Sequence, residues 1–128
     1  MSAGISVGRA IYYILSNNTA VKNLIGTKIY PLVLPELTPL PAIVYERNSD
    51  LEYSLDGAGI STSAVDITIL SENYSNTMAI SEAVYTALQW YKGTADTINI
   101  INIRLLNVQE TYQENAFIQK LLFQIKSI

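Results

Sequence analysis

The eight-residue run from Leu24 to Pro31 constrains the fold of this chain more than any other feature of its sequence. Gly26 can adopt the left-handed conformation that ends helices at low steric cost. Pro31 has no backbone N–H and pushes Tyr30, the residue before it, toward extended geometry. The run therefore predicts the end of a helix, the start of a strand and a break in that strand, which together are typical of a small α+β domain.

Two apolar stripes with helical spacing predict the main helices. The first helix is expected to cover about Ser6 to Asn17, and Thr19 can cap a short further turn that runs to Ile25. The second helix is expected to begin near Tyr74 and to end at Gly93. The stripes consist of Val7, Ala10, Ile11, Ile14 and Leu15 in the first helix, and of Ile80, Ala83, Val84, Ala87, Leu88 and Tyr91 in the second. Both stripes are typical of helices that pack on a core.

Alternating apolar residues predict two strands in the first half of the chain, Ala42 to Ser49 and Ala64 to Leu70. The stretch between them, Asp50 to Ser63, is too long for a tight hairpin turn and contains the turn signal Asp56-Gly57. Its apolar residues include Leu51, Tyr53 and Leu55. A loop of this length and composition is either mobile or ordered by contact with another subunit.

Two longer strands are predicted in the second half, Ile98 to Val108 and Ala116 to Lys126. The side-chain parity of the first shifts between Ile100 and Ile101, as a β-bulge requires. The second has apolar residues on both faces, with Phe117, Leu121, Phe123 and Ile125 on one face and Ile118 and Leu122 on the other. This arrangement favours burial on both sides of the sheet, or an oligomer contact on one side.

The order helix, strands, helix, strands predicts a single α+β domain over residues 1–128. We expect an antiparallel sheet of about four strands with two helices packed on one face. Such a sheet leaves its other face and its two edges uncovered. An exposed edge invites aggregation unless something shields it, and assembly into a ring would shield it.

The surface of the protein is expected to be poor in charge. Charged residues make up 15% of the chain, against roughly 25% in ordinary soluble proteins, while apolar residues make up 49%. Either partners cover part of the surface, or the protein is a well-buried domain with a polar, uncharged exterior. The N-terminus lacks the pattern of a secretory signal, and no apolar run approaches the roughly 20 residues of a membrane span. We therefore expect a soluble protein that makes no membrane contact.

The residue types needed for most catalytic and metal sites are missing. The chain has no cysteine and no histidine, which excludes thiolate metal sites and a conventional Ser–His triad. The carboxylate pairs, Asp50 with Glu52 and Glu110 with Glu114, are best interpreted as solvated charges. Asp56-Gly57-Ala58-Gly59 is a turn signal that matches no phosphate-binding motif. We expect no enzymatic activity, no metal and no cofactor.

Charge also argues against tight binding of DNA. The net charge is −3 and the eight basic residues are scattered along the chain, whereas phosphate contacts require clustered Lys and Arg. The aromatic residues are not interleaved with basic ones, as a surface that stacks bases would require. They are expected to serve as core or interface anchors.

The stretch from Pro31 to Pro41, here called the proline-rich segment, contains all four prolines of the chain. Leucines and a valine lie between the prolines, whereas a solvated loop would be polar. The segment is therefore expected to cross one face of the sheet and fill a gap in the core, or to meet a partner. Both can hold.

Several short motifs follow one another in a characteristic order. The first is Val21-Lys22-Asn23-Leu24-Ile25-Gly26-Thr27-Lys28-Ile29-Tyr30-Pro31, and the next are Leu40-Pro41-Ala42-Ile43-Val44-Tyr45 and Leu55-Asp56-Gly57. The strand Ala64–Leu70, a helix-opening Tyr74 and the segment Asn107–Tyr112 complete the series. In this order and spacing, over nearly the whole chain, the motifs resemble the tail-completion (tail-terminator) proteins of long-tailed bacteriophages and prophages. The Asn- and Ile-rich stretch after Gly93 departs from the family's pattern.

The resemblance implies a structural assembly protein without catalytic residues. It implies a homohexameric ring on the head-facing end of the tail tube, which stops tube polymerisation and joins the head connector. The implied partners are further copies of the chain, the tail tube protein and the head–tail connector protein, with DNA passing through the lumen without sequence-specific binding. The implied location is the tail or neck of the virion, after assembly in the host cytoplasm.

A head-to-tail ring needs two different contact patches on each subunit. The proline-rich segment and the loop from Asp50 to Ser63 are the candidates for these patches. The expected interface residues are Tyr30, Pro31, Leu34, Leu37, Leu51, Tyr53, Leu55, Asp56 and Gly57. A small oligomeric ligand-binding or regulatory α+β domain is the alternative, and it would need a pocket with converging polar groups. An enzyme comes third.

Overall fold

The computed structural model describes residues 6–48, 52–53 and 59–128 of the chain. Within these ranges it contains three helices, α1 (Val7–Ser16), α2 (Thr19–Ile25) and α3 (Tyr74–Leu88). The strands in the same ranges are β1 (Ile29–Pro31), β2 (Ala42–Arg47), β3 (Glu52–Tyr53), β4 (Ser61–Ser71), β5 (Gly93–Ala95), β6 (Ile98–Gln113) and β7 (Ala116–Ser127). No helix in this described part of the chain is long and apolar enough to cross a membrane.

The strands form one mixed sheet in the order β1-β2-β4-β7-β6-β5, and β3 pairs with the start of β4. Strand β1 runs parallel to β2, and the other neighbouring pairs are antiparallel. The α+β class is confirmed, but the prediction of about four antiparallel strands is wrong in number and in direction. The four predicted strands are the long ones. Strands β1, β3 and β5 have only two or three residues, which is too short to leave an alternating pattern in the sequence.

The prediction of two helices is also wrong, because the short turn expected after Asn17 is a complete helix, α2. Asn18 rather than Thr19 caps it, since the Asn18 side-chain oxygen accepts a hydrogen bond from the N–H of Val21 at 3.0 Å. Gly26 ends the helix with a φ of 64°, as its position predicts.

Helix α3 begins near the predicted residue and ends earlier than expected. The side chain of Asn73 caps its first turn by accepting a hydrogen bond from the N–H of Asn76 at 3.1 Å. The helix ends at Leu88, and the chain turns at Trp90, whose φ is 63°. Gly93 was expected to end the helix, but it is the first residue of β5.

Helices α1 and α3 pack on one face of the sheet, and a single hydrophobic core lies between the two layers. The predicted stripe of α1 is buried in full, and Ile80, Val84 and Leu88 of α3 are buried beside it. The sheet contributes the odd-numbered residues of its central strands, namely Val65, Ile67 and Ile69 from β4 and Leu121, Phe123 and Ile125 from β7. The period-two pattern of these strands therefore identified the core-facing side correctly.

Strands β6 and β7 form a long hairpin. Its register shifts between Ile100 and Asn102, which confirms the bulge predicted at this point of β6. A two-residue turn of Glu114 and Asn115, both with positive φ, connects the strands, as is typical of tight hairpins. Strand β6 thus continues to Gln113, well beyond its predicted end.

The extra length of β6 lies outside the core. Every residue from Leu106 to Asn115 is exposed, so no buried face marks this part of the strand in the sequence. A second register shift, between Leu105 and Asn107, separates this outer part from the part that packs under the helices. The outer hairpin is therefore ordered by pairing with β7 and by a few contacts with the start of α3.

Candidate assembly surfaces

The proline-rich segment presents large apolar side chains to solvent. Leu32 and Val33 are 71% and 68% exposed, and Leu37 is 100% exposed. Leu34, also expected at an interface, is half-buried. The prediction that the segment fills a gap in the core is therefore wrong for its most exposed side chains, and the alternative prediction, contact with a partner, remains.

Hydrogen bonds rather than apolar packing order this segment. The N–H of Leu32 donates to the carbonyl oxygen of Tyr45 at 2.9 Å, which continues the pairing of β1 with β2. The Thr38 hydroxyl donates to the carbonyl oxygen of Pro35 at 2.6 Å, and the Lys28 ammonium donates to that of Pro39 at 3.2 Å. The backbone is thus fixed while the apolar side chains remain uncovered.

Two of the exposed leucines also have strained backbones. Leu32 and Leu37 have φ values of 67° and 63°, in the left-handed region that bulky residues rarely adopt. This conformation costs roughly 1–2 kcal/mol per residue. Backbone strain that local packing does not offset is typical of functional sites.

The other predicted patch lies largely outside the described residues. Leu51, Leu55, Asp56 and Gly57 belong to the part of the chain that the structure does not describe. Tyr53 lies in β3, where it pairs with Ser61 of β4. The predicted interface residues whose surroundings are described, including Tyr30 and Pro31, belong to β1 and the proline-rich segment.

A second apolar surface, which the sequence did not reveal, lies between α3 and β6. A groove of about 280 Å³ separates the two elements and is here called the α3–β6 groove. Its lining residues are Met78, Ser81, Glu82, Tyr85, Leu105, Val108, Gln119 and Leu121. Met78, Tyr85 and Val108 are 37%, 38% and 44% exposed. In the sequence, Met78 and Tyr85 lie outside the core stripe of α3, and the strand pattern was followed only as far as Val108.

Next to this groove, the outer edge of β6 is uncovered. Strand β5 pairs only with Ile98–Ile100 of β6. The chain after α3 then hydrogen-bonds to the next part of β6. The N–H of Trp90 donates to the carbonyl oxygen of Ile103 at 2.7 Å, and the N–H of Leu105 donates to Gln89 Oε1 at 2.8 Å. From Leu106 to Gln113, no other described strand pairs with this edge. We call these eight residues the free edge of β6.

An aromatic cluster attaches the end of the hairpin to the first turn of α3. The ring centroid of Phe117 lies 5.8 Å from that of Tyr74 and 4.8 Å from that of Tyr112. The Tyr74 hydroxyl donates a hydrogen bond to Glu110 Oε2 at 2.6 Å. This hydrogen bond to an adjacent carboxylate raises the pKa of Tyr74 above its ordinary value of 10.0. Glu110, which was expected to be a solvated charge, is therefore a hydrogen-bond acceptor for Tyr74.

The sheet face opposite the helices carries a small polar notch. Asp66 of β4 is only 4% exposed there and accepts a hydrogen bond from Asn48 Nδ2 at 2.6 Å. The notch has a volume of about 110 Å³ and is also lined by Lys120 and by the amides of Asn107 and Gln109. No group of three potential metal ligands of the His, Cys, Asp or Glu type occurs among the described residues.

A broader depression of about 530 Å³ lies at the start of α1. Its charged groups neutralise each other, because Arg9 Nε lies 3.0 Å from Asp96 Oδ2. Its aromatic side is Tyr12 against Tyr45, with ring centroids 6.4 Å apart. Burial raises the pKa of the Tyr45 hydroxyl, and the nearby Tyr12 adds to the shift. The two charged side chains here bind each other rather than converge on a ligand.

Comparison with known proteins agrees with the resemblance in the motifs. A family model described as tail completion protein gp17 matches residues 9–126. No curated protein matches the chain. A chain in a solved structure described as "Virion of native gene transfer agent (GTA) particle" is 19% identical, with a TM-score of 0.72 over 91% of this chain and 90% of that chain. The structural match shows a common fold, and the family match covers nearly the whole sequence. The chain therefore belongs to the tail completion protein gp17 family of structural phage tail proteins.

Proposed function

We propose that this protein caps the tail tube of a phage or phage-like particle as a homohexameric ring. The ring ends polymerisation of the tube and forms the joint to the head connector. Its partners are further copies of itself, the tail tube protein and the connector protein, and its final location is the neck of the virion after assembly in the host cytoplasm. Family membership and the fold shared with a chain of a gene transfer agent virion support this proposal.

The observation that carries the proposal is the exposed proline-rich segment. A fully exposed Leu37 on a hydrogen-bonded, strained backbone stabilises nothing within one subunit. Contiguous exposed apolar groups on a soluble protein mark sites of contact with other molecules. We assign this segment to subunit contacts in the ring, with Tyr30 and Pro31 at its base.

The proposed role requires no catalysis. The ring acts by occupying the growing end of the tube and by presenting a new surface to the connector. DNA passes through the lumen, and the net charge of −3 disfavours tight phosphate binding that would hold the DNA in place. The depression beside Arg9 and Asp96 gives little support to the ligand-binding alternative, because its charged groups pair with each other.

Polymerisation of the cognate tail tube protein tests the capping role. Tubes are assembled with increasing amounts of this protein, and their lengths and ends are examined by electron microscopy with the protein gold-labelled. We expect tubes to shorten with increasing protein and to carry the label at one end. Tubes of unchanged length without label at their ends would refute the capping function.

A further inference from the structure

We infer that the α3–β6 groove of one copy receives the proline-rich segment of the next copy. This inference rests on the ring proposed above and identifies its two contact patches. The sequence suggested the loop from Asp50 to Ser63 as the second patch. The inference assigns the second patch to the α3–β6 groove instead.

The two surfaces lie at the same height on opposite edges of the sheet. One row of paired residues crosses the sheet from β1 to the free edge of β6. Its members, in order, are Pro31, Tyr45, Ile67, Leu121 and Val108. The row spans four strand spacings, or about 20 Å. Neighbouring copies in a cyclic ring are related by rotation about one axis, so patches that meet must lie at equal heights along that axis. Pro31 at the base of the segment and Val108 in the groove meet that requirement when the axis is perpendicular to this row.

Their shapes are complementary. The proline-rich segment exposes apolar side chains, and Leu37 is exposed in full. The groove is a concave surface with apolar walls formed by Met78, Tyr85 and Val108. A projecting leucine that enters an apolar cleft is the usual form of an interface anchor.

The polar groups of the groove also fit this occupant. Ser81 Oγ is buried in the groove lining and, among the described residues, has no hydrogen-bond partner. Gln119 Nε2 donates at 3.8 Å to Met78 Sδ, which is a weak acceptor. Prolines have no N–H, so the proline-rich segment has more carbonyl acceptors than donors. Its carbonyl groups can accept from the Gln119 amide in the groove, whereas the Ser81 hydroxyl is buried beneath the groove surface.

The two edges of the sheet also differ in protection. Strand β1 is three residues long and ends in proline, which discourages pairing with another chain. The free edge of β6 has eight residues without proline or lysine, and three of them are Leu106, Val108 and Tyr112. An unprotected edge of this length requires a cover in the assembled protein. A neighbouring segment seated in the adjacent groove provides it.

Cross-linking tests the contact, and the absence of native cysteine makes the test specific. The double variant Leu37→Cys/Val108→Cys is assembled with cognate tail tube protein and treated with a short bismaleimide. Both residues are exposed, so the variant is expected to fold. The controls are the two single variants and the pair Leu37→Cys/Gln124→Cys, because Gln124 lies on the sheet face opposite the helices. Light scattering gives the mass of each assembly before cross-linking.

We expect a ladder of covalent species up to the hexamer, at least tenfold stronger than in the Gln124 control. A head-to-tail contact requires both cysteines, so neither single variant should cross-link through this contact. A six-fold mass without the ladder, or cross-links from Val108→Cys only to tail tube protein, would overturn this inference and leave the ring intact. A double variant that cross-links only to dimers would also overturn it, because a symmetric contact stops there. A chain that stays monomeric with and without tube protein would overturn the ring itself.

Discussion

Strand β7 and the proline-rich segment are both rich in large apolar residues, yet one lies in the core and the other in solvent. In β7, Phe123 and Ile125 are fully buried. In the proline-rich segment, Leu32 and Leu37 are largely or fully exposed. The difference comes from the backbone. Strand β7 is hydrogen-bonded to β4 and β6, so its side chains alternate between two fixed faces. Pro31 closes the edge strand β1, and the other three prolines lie outside any described strand because they have no N–H to donate to a ladder. The rest of the segment therefore has no strand face that must turn inward.

Apolar content and burial are therefore separate properties in this protein. Periodic apolar residues build the core, whereas aperiodic apolar residues remain available for contact with another subunit. The following experiments test that separation, beginning with the largest expected effect.

Truncation of a residue in each region gives the sharpest contrast. Phe123→Ala removes a fully buried ring and is expected to lower the free energy of unfolding by about 3–5 kcal/mol. Leu37→Ala removes a side chain that is fully exposed, and the expected change is within about 0.5 kcal/mol. Urea denaturation measures both. A loss of several kcal/mol for Leu37→Ala would show that this residue packs within its own subunit.

Relief of backbone strain at Leu37 should stabilise the fold. Leu37→Gly places glycine at a φ of 63° and is expected to stabilise the isolated chain by about 1 kcal/mol, because glycine adopts this conformation without strain. Val33→Gly is the matched control. Val33 is 68% exposed but does not have positive φ, so we expect a loss of about 0.5–1 kcal/mol there. Thermal denaturation compares the two, and equal losses in both variants would contradict the assignment of strain to Leu37.

The hydrogen bonds of the proline-rich segment should contribute modestly to stability. Thr38→Val removes the bond from the Thr38 hydroxyl to the Pro35 carbonyl oxygen, and the expected loss is about 0.5–1 kcal/mol because the site is exposed to water. Thr38→Ser keeps the hydroxyl and should retain most of the wild-type stability. Hydrogen exchange of the Thr38 amide, which donates to the same carbonyl oxygen at 3.3 Å, should become faster only in the valine variant. Unchanged exchange would indicate that other contacts order the segment.

The end of the β6–β7 hairpin is neither buried like β7 nor uncovered like the proline-rich segment. Its contribution to stability should depend on pH. The pKa of Tyr74 is raised in the folded protein by its hydrogen bond to Glu110. The native state therefore holds this proton more tightly than the unfolded state. The stabilisation is complete below the unfolded value of about 10 and is lost as the pH rises through the higher folded value. Wild type should be more stable than Tyr74→Phe at pH 8, and the difference should shrink as the pH rises above 10. A difference that persists or grows at high pH would contradict this assignment.

The core was predictable from the sequence because it is periodic. The stripe of α1, the odd-numbered residues of β4 and β7, and the bulge in β6 all leave a pattern of period 3.6 or 2, or a visible shift in it. The helix end at Gly26 was predictable from the conformational freedom of glycine. The predicted helix end at Gly93 was wrong, because a glycine that begins a short strand looks the same in the sequence as one that ends a helix.

The assembly surfaces were only partly predictable. Composition identified the proline-rich segment as unusual, but its exposure depends on tertiary packing that the sequence does not encode locally. The α3–β6 groove arises where β6 continues past the helices, and every residue of β6 from Leu106 onward is exposed. A strand without a buried face has no alternation to detect, so neither the groove nor the free edge left a signal beyond the absence of lysine and proline.

The most direct test of the account is the solution mass of the wild-type protein and of Leu37→Asp, each measured by light scattering with the cognate tail tube protein. We expect a six-fold mass for the wild type and at least tenfold weaker assembly of Leu37→Asp, with unchanged folding by circular dichroism. A wild-type protein that stays monomeric and does not bind tubes would contradict the ring, and a Leu37→Asp variant that assembles normally would contradict the role of the exposed proline-rich segment.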